Sequence, residues 1–270
     1  MVDDTTIADA VSLAIERARQ GRRATPALLA TVNAHSVVLA DASPRFAEIL
    51  NSAQLSIPDG MSIVAGARLL GHPLRARVPG VDLVEELCKR SAEAGVSVYF
   101  LGGRPGAGAR TAARMAARYP GFILAGIDCP PHDFEHNAEE NVRVLERIRE
   151  AAPDILFVAL GMPKQEHWIA QNAARSGVAV VMPVGGSFEL LGGLIPRAPR
   201  WLQNVGLEWL FRMTMEPRRL WRRYLFGNLR FIALMTARLL ERAALAGDGA
   251  APRPFKDLKL EGESLGGSLG

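Results

Sequence analysis

Strand-length apolar runs alternate along most of the chain with stretches in which apolar positions return every three or four residues. The runs at 27–32, 37–39, 54–57, 96–101, 121–127, 154–160 and 178–184 predict strands, and several are apolar throughout. A strand without polar alternation is covered on both faces, as in a parallel sheet flanked by helices. Helical periodicity fills the intervals at 44–51, 62–70, 83–94, an Ala/Arg stretch ending at Tyr119, 138–151 and 164–176. In 138–151 it places Val142, Leu145 and Ile148 on one face. Asp82 with Glu85 three residues on opens one helix, Gly95 closes it, and Pro58-Asp59-Gly60 marks a turn. The predicted fold class is α/β: a Rossmann-like, mostly parallel sheet with helices on both faces.

Beyond Pro199 the pattern changes. Segments 201–212 and 217–242 predict two helices, the second amphipathic, with Arg218, Arg219, Arg222, Arg223 and Arg230 on one arc. Trp221, Tyr224, Leu225, Ile232, Met235 and Leu239 fall opposite. Its longest charge-free run, 231–237, is far short of the ~20 residues that a membrane span needs. A basic helix with an aromatic and aliphatic face has the composition of one lying in a membrane interface; docking on the body is the plainer alternative. The expected organisation is a catalytic domain at 1–199, a helical basic appendage at 200–246 and a disordered tail at 247–270.

Charge follows the same division. The 270 residues carry +4 overall, yet 197–242 alone holds ten Arg against three Glu, leaving a near-neutral body. Such asymmetry points to a polyanionic surface, nucleic acid or acidic membrane. The only two cysteines, Cys88 and Cys129, form no C-x-x-C pair, which disfavours a disulfide scaffold or structural zinc and favours a reducing cytosol. Residues 1–10 lack the apolar core of a secretory signal.

In parallel sheets ligands bind where the strands' carboxyl ends meet the following loops. Four such loops stand out: 58–61, 102–108, 161–166 and 185–193. Gly102-Gly103-Arg104-Pro105-Gly106-Ala107-Gly108 suits a phosphate cradle at a helix N-terminus. It lacks the G-x-G-x-x-G spacing and the Walker Lys-Ser/Thr, so neither NAD nor ATP is indicated, and no cofactor is expected. Asp59 is either a general base or a turn aspartate bonding its own backbone. Arg75 and Arg77 lie in an apolar loop where a guanidinium could grip a phosphate. Gly161-Met162-Pro163-Lys164-Gln165-Glu166 follows a buried strand, and Gln165 could read a sugar hydroxyl or a base edge. No metal constellation is apparent: His132 and His136 beside Asp133 are the nearest approach, and they read as loop histidines. At the strand ends no serine-hydrolase elbow appears, since Gly185-Gly186-Ser187-Phe188-Glu189 fails the last position of G-x-S-x-G, and a D-x-D is absent.

The ordered set is more specific than any member. Thr31-Val32-Asn33, Pro58-Asp59-Gly60, Arg77-Val78-Pro79-Gly80-Val81-Asp82, Gly161 to Glu166, Val184-Gly185-Gly186-Ser187-Phe188 and Arg197-Ala198-Pro199 follow one another. Glu208-Trp209-Leu210-Phe211-Arg212, Glu216-Pro217-Arg218-Arg219 and Arg223-Tyr224 complete the series. Over residues 31–242 the chain resembles the WecG/TagA/CpsF glycosyltransferases. The resemblance implies an inverting, metal-independent transferase that moves a sugar from a UDP-sugar to a polyprenyl-diphosphate-linked sugar. It would sit peripherally on the cytoplasmic face of the membrane, serving surface polysaccharide synthesis. By that resemblance Asp59 is the general base and Arg77 acts near the diphosphate. Thr31, Asn33 and Gln165 are polar pocket residues. Gly102, Gly103, Gly161, Lys164, Glu166, Gly185 and Gly186 are expected to line the substrate site. Arg212, Arg219, Arg222 and Arg223 would contact the membrane or diphosphate. His35, just after the T-x-N segment, departs from the family pattern and bears on donor choice.

Two other classes compete. A nucleic-acid binder could use the arginine-rich helix on phosphates, but a duplex-bound helix has little use for Trp221, Leu225, Ile232 and Leu239 on its far side, so no nucleic-acid partner is expected. An inactive sugar-nucleotide scaffold is disfavoured by Asp59, Arg77 and Gln165 standing together. Homo-oligomerisation offers the amphipathic helix another way to cover its apolar face.

Overall fold

A computed structural model describes residues 2–21 and 25–247, except for the side chains of Asn204, Arg219, Arg222, Arg223 and residues 245–247. The part of the expected tail from 248 onward lies outside the described residues. Six parallel strands form one sheet: β1 (Ala27–Val32), β2 (Leu55–Pro58), β3 (Ser97–Gly102), β4 (Ile123–Asp128), β5 (Ile155–Ala159) and β6 (Val180–Pro183), in the order β2-β1-β6-β5-β3-β4. Around it lie α1 (Ile7–Arg19), α2 (Ala34–Ala42), α3 (Pro44–Asn51), α4 (Met61–Leu69), α5 (Gly80–Ala94) and α6 (Ala107–Arg118). They are followed by α7 (Ala138–Ala151), α8 (Lys164–Ser176), α9 (Ser187–Leu191), α10 (Arg200–Asn204), α11 (Glu208–Met215) and α12 (Pro217–Gly247).

The apolar strands build two cores by alternation. Val98, Phe100, Phe157 and Met182 pack to one side with Ala10 of α1, Leu83 of α5 and Ala112 of α6. Their neighbours Tyr99, Leu101, Val158 and Val181 pack to the other with Phe46 of α3, Val144 of α7 and Trp168 of α8. Successive side chains of a strand point to opposite faces, so one run feeds both layers. At about 1.5–3 kcal/mol for each large apolar side chain fully buried, these layers dominate the stabilisation of the fold. The β2 edge is closed by Asp3, whose N–H donates to Ser56 O and whose carboxylate accepts from Ser56 N–H at 2.7 Å.

Several local expectations are corrected. The apolar triplet 37–39 is helical, inside α2, because Asn33 caps that helix by accepting from the backbone N–H groups of His35 and Ser36. The α5 helix starts at Gly80 after Pro79, and Asp82 lies in its first turn rather than capping it. Val142 points to solvent, while Val144 joins Leu145 and Ile148 inside. The segment read as one helix over 201–212 is two, α10 and α11, parted at Val205-Gly206-Leu207.

The long α12 packs one side on α2 and α4. Phe231 is buried with Val32, Val38 and Ile63, with Leu234 and Met235 alongside, and Arg230 pairs with Asp41 at 3.0 Å. The face opposite the arginines is therefore divided. Met235 turns to the body, whereas Trp221, Leu225 and Ile232 remain 42–59% exposed, and Leu229 and Leu240, on the adjoining arginine arc, widen the exposed apolar strip. Among the described residues no helix is long and apolar enough to cross a membrane.

Candidate active site

Parallel register brings the carboxyl ends of the strands to one edge. Val32 of β1 stands opposite Pro58 of β2, and the next residue, Asp59, donates its N–H to Val32 O at 2.8 Å. Pro58 O accepts from Val78 N–H, which folds the 71–79 segment back over the same edge. The start of α5 completes the enclosure: a Cβ placed on Gly80 would lie 3.5 Å from Thr31 Cγ2 and 3.6 Å from Asp59 Oδ2. Asp59 is thus held by its backbone and is half-buried as a residue.

That setting changes its acidity. Burial, and next the negative charge of Glu208, push the Asp59 carboxyl up to about 6. The Gly80 N–H, Arg77 and Arg212 act in the opposite direction. A carboxylate of this kind ionises close to neutral pH, where a general base is most effective.

Arg75 and Arg77, two residues apart, have different fates. The Arg75 guanidinium is tied to Asp4 at 3.1 Å and Asp9 at 2.9 Å, anchoring the N-terminus away from Asp59. Arg77 turns inward to Glu208, Nη1 to Oε2 3.6 Å. Glu208 also faces Arg197, Oε1 to Nε 3.7 Å, and Arg197 grips both carboxylate oxygens of Asp82, one at 2.9 Å. From the next turn of α11, Arg212 reaches across Gly186: a Cβ there would stand 3.0 Å from Arg212 Nη2. Glycine leaves room for that approach, which a Cβ would oblige the guanidinium to relax by a few tenths of an ångström.

The glycine loops lie alongside. Adjacent β3 and β5 send their connections in opposite directions along the sheet, one to β4 and the other to β6, which makes their ends a switch point. Gly102 and Gly103 there have φ of +87° and +81°, and a Cβ on Gly102 would meet Ala159 O at 2.8 Å. Arg104 donates its N–H to Glu189 Oε1 at 3.0 Å and pairs its guanidinium with Glu216, between α11 and α12. Glu189 is buried, and its Oε2 has no hydrogen-bond partner among the described residues.

Gln165 is buried, and its Oε1 accepts from Gly161 N–H (3.2 Å) and Gly185 N–H (3.1 Å), while its amide donates to Glu166. It ties the loops after β5 and β6 together, so its effect on a ligand passes through their placement. Glu166 is buried with it. Asn33 spends its side-chain oxygen on the α2 cap. Lys164 leaves the cluster to pair with Asp133 and Glu135, which raises its ammonium pKa. Asp133, Glu135 and His136 bring ligating atoms within 4.8 Å of one another, but the Lys164 ammonium already pairs with both carboxylates. An open groove of about 630 Å³ between α5, α6 and α9 shares only Arg197 with the charged network.

The structure therefore gathers Thr31, Asn33, Asp59, Arg77, Gly186 and Arg212 with the two glycine loops, and sends Lys164 elsewhere. The side chains of Arg219, Arg222 and Arg223 lie outside the described ones. The sequence reading gave no role to Glu208, Arg197, Asp82, Glu189, Arg104 or Glu216. The first three and Glu216 stood inside the quoted motifs, where opposite charges in separate segments were the available signal.

The family model "Glycosyl transferase WecG/TagA/CpsF family" matches residues 1–245. Two relatives bear the name N-acetylglucosaminyldiphosphoundecaprenol N-acetyl-beta-D-mannosaminyltransferase, one from Bacillus spizizenii and one from Bacillus subtilis strain 168. They are 33% and 29% identical over 199 residues, covering 74% of this chain and 75% of each relative. With the family's motifs converging on one sheet edge, the chain belongs to the WecG/TagA/CpsF family of glycosyl transferases.

Proposed function

We infer that the protein is an inverting transferase moving a hexose or N-acetylhexosamine-type sugar from a UDP-sugar to a polyprenyl-diphosphate-linked sugar. The observation that carries this reading is the Asp59 carboxylate, poised to ionise near neutral pH amid Arg77, Arg212 and the glycine loops. Asp59 takes the proton of the acceptor hydroxyl as that oxygen attacks the anomeric carbon. The bond from that carbon to the UDP oxygen breaks, and its electron pair leaves with UDP. Guanidinium groups and backbone N–H groups can carry the departing charge, so the reading needs no metal. Glu189 Oε2 offers an acceptor to a donor hydroxyl beside the Gly102–Gly103 turn. Thr31 and Asn33 line the acceptor side.

Residues 1–199 carry the sheet and the base, while 200–246 form an appendage that adds charge to the site and faces the membrane. The exposed stripe of Trp221, Leu225, Leu229, Ile232 and Leu240 suits a bilayer interface, where a lipid-linked acceptor resides. In this reading the protein acts peripherally on the cytoplasmic face. The relatives' name makes UDP-N-acetylmannosamine and polyprenyl-diphosphate–GlcNAc the first pair to try. A UDP-release assay over a panel of UDP-sugars, with EDTA throughout, tests the reading. Release with one pair supports it. EDTA-sensitive release reversed by a divalent cation sinks metal independence, and silence with every lipid-linked acceptor sinks the reaction class.

A further inference from the structure

We propose that Glu208 is a positioning residue of the transfer reaction, holding Arg77 in place from α11 and bringing a negative charge into the site that contains Asp59. The inference rests on the proposed role of Asp59. Its geometric basis is a chain of alternating charges, Asp82–Arg197–Glu208–Arg77, that spans three separate segments, and whose Arg77 end is set against the Asp59 turn by the bond from Val78 N–H to Pro58 O at 2.8 Å. Glu208 and Arg77 are each no more than 20% exposed, so their charges are weakly screened compared with surface pairs. Glu208 is the one acid of α11 in this network, and it lies between two guanidinium groups.

Its effect on Asp59 has two parts with the same sign. The carboxylate repels a second negative charge at Asp59. It also draws the Arg77 guanidinium to itself, which lessens what Arg77 gives to Asp59. The other groups facing Asp59 are the Gly80 N–H from α5 and Arg212 from α11, and both favour its ionised form. Of the charges supplied by α11, Glu208 thus delays ionisation and Arg212 promotes it. Docking of α11 sets the working pH as well as closing the site.

Replacing the charge isolates the effect. In Glu208→Gln, Asp59 should ionise at lower pH, and the acid limb of the kcat/KM profile should move down by about one pH unit. A merely structural role would lower the rate at every pH and leave the limb in place. The assay is UDP release from UDP-N-acetylmannosamine with a polyprenyl-diphosphate–GlcNAc analogue. A second measurement needs no substrate: Asp59→Asn should raise the melting temperature at pH 7.5, and in a Glu208→Gln background that rise should shrink by about half. Glu208→Asp, which keeps the charge on a shorter arm, should shift both readouts less and in the same direction; it stands in if Glu208→Gln does not fold. An unmoved acid limb or an undiminished melting gain overturns the role of Glu208 while leaving Asp59 as base. Wild-type turnover by Asp59→Asn alone would instead remove the base, and this proposal with it.

Discussion

Asp59→Asn should make the protein more stable as it makes it inactive. The folded protein holds the Asp59 carboxyl at about 6 against an ordinary value of 3.8. The native state therefore binds the proton more tightly than the unfolded chain. Stability from that proton is complete below about pH 3.8 and is lost as pH rises through 6. Above that window the protein carries an ionised carboxylate in a site that disfavours it, at a cost of up to about 3 kcal/mol. Asparagine keeps the acceptor for the Gly80 N–H and removes the charge. Allowing for partial solvent access, a gain of about 1–3 kcal/mol at pH 7.5 is expected, a rise in melting temperature of about 2–6 °C for a chain of this size. The gain should fall to about half at pH 5, where the native wild type is mostly protonated. Paired thermal melts at the two pH values, at one scan rate, provide the assay. An Asn variant that melts at or below the wild type at pH 7.5, or whose gain is equal at both pH values, would refute the electrostatic account of the site.

Other consequences follow from the same contacts. Gln165→Leu strips the Gly161 and Gly185 N–H groups of their shared acceptor and should cost about 2–4 kcal/mol, read by denaturant unfolding. Its KM for the donor should rise as the two loops part. Arg212→Ala should lower kcat more than it raises KM, because its charge serves the leaving group; equal kinetics in both variants would show that it does not face the reaction. Replacing Trp221, Leu225 and Ile232 together by Ser should abolish flotation with anionic vesicles yet spare UDP release from a water-soluble acceptor. Undiminished flotation would remove that face from membrane contact.

The sheet was legible because apolar runs without alternation have few other uses. Segment 37–39 misled because three apolar residues cannot register a period, and the deciding group was the Asn33 cap outside the run. The 201–212 segment concealed its break because Gly206, at φ +77°, interrupts a stretch whose apolar spacing stays helical. Asp59 illustrates the limit for the site. Its turn is readable, but what makes it a candidate base is its burial in the folded site and, next, the charge brought by Glu208 from a helix about 150 residues later. Arg75 and Arg77 looked alike in sequence, and only tertiary partners, Asp4 for one and Glu208 for the other, separate anchor from site. Gln165 and Lys164 read equally well as ligand contacts until the fold engaged them, one with two backbone N–H groups and the other with Asp133.

The proposed sugar transfer depends on Asp59 acting as the proton acceptor. Its most direct test is UDP release by Asp59→Asn beside the wild type, on the active donor–acceptor pair in bilayers at pH 7.5, with folding confirmed by the melt. The account predicts turnover reduced by about 10²–10⁴-fold, with the donor still bound. Turnover by the folded variant within a few-fold of the wild type would contradict it.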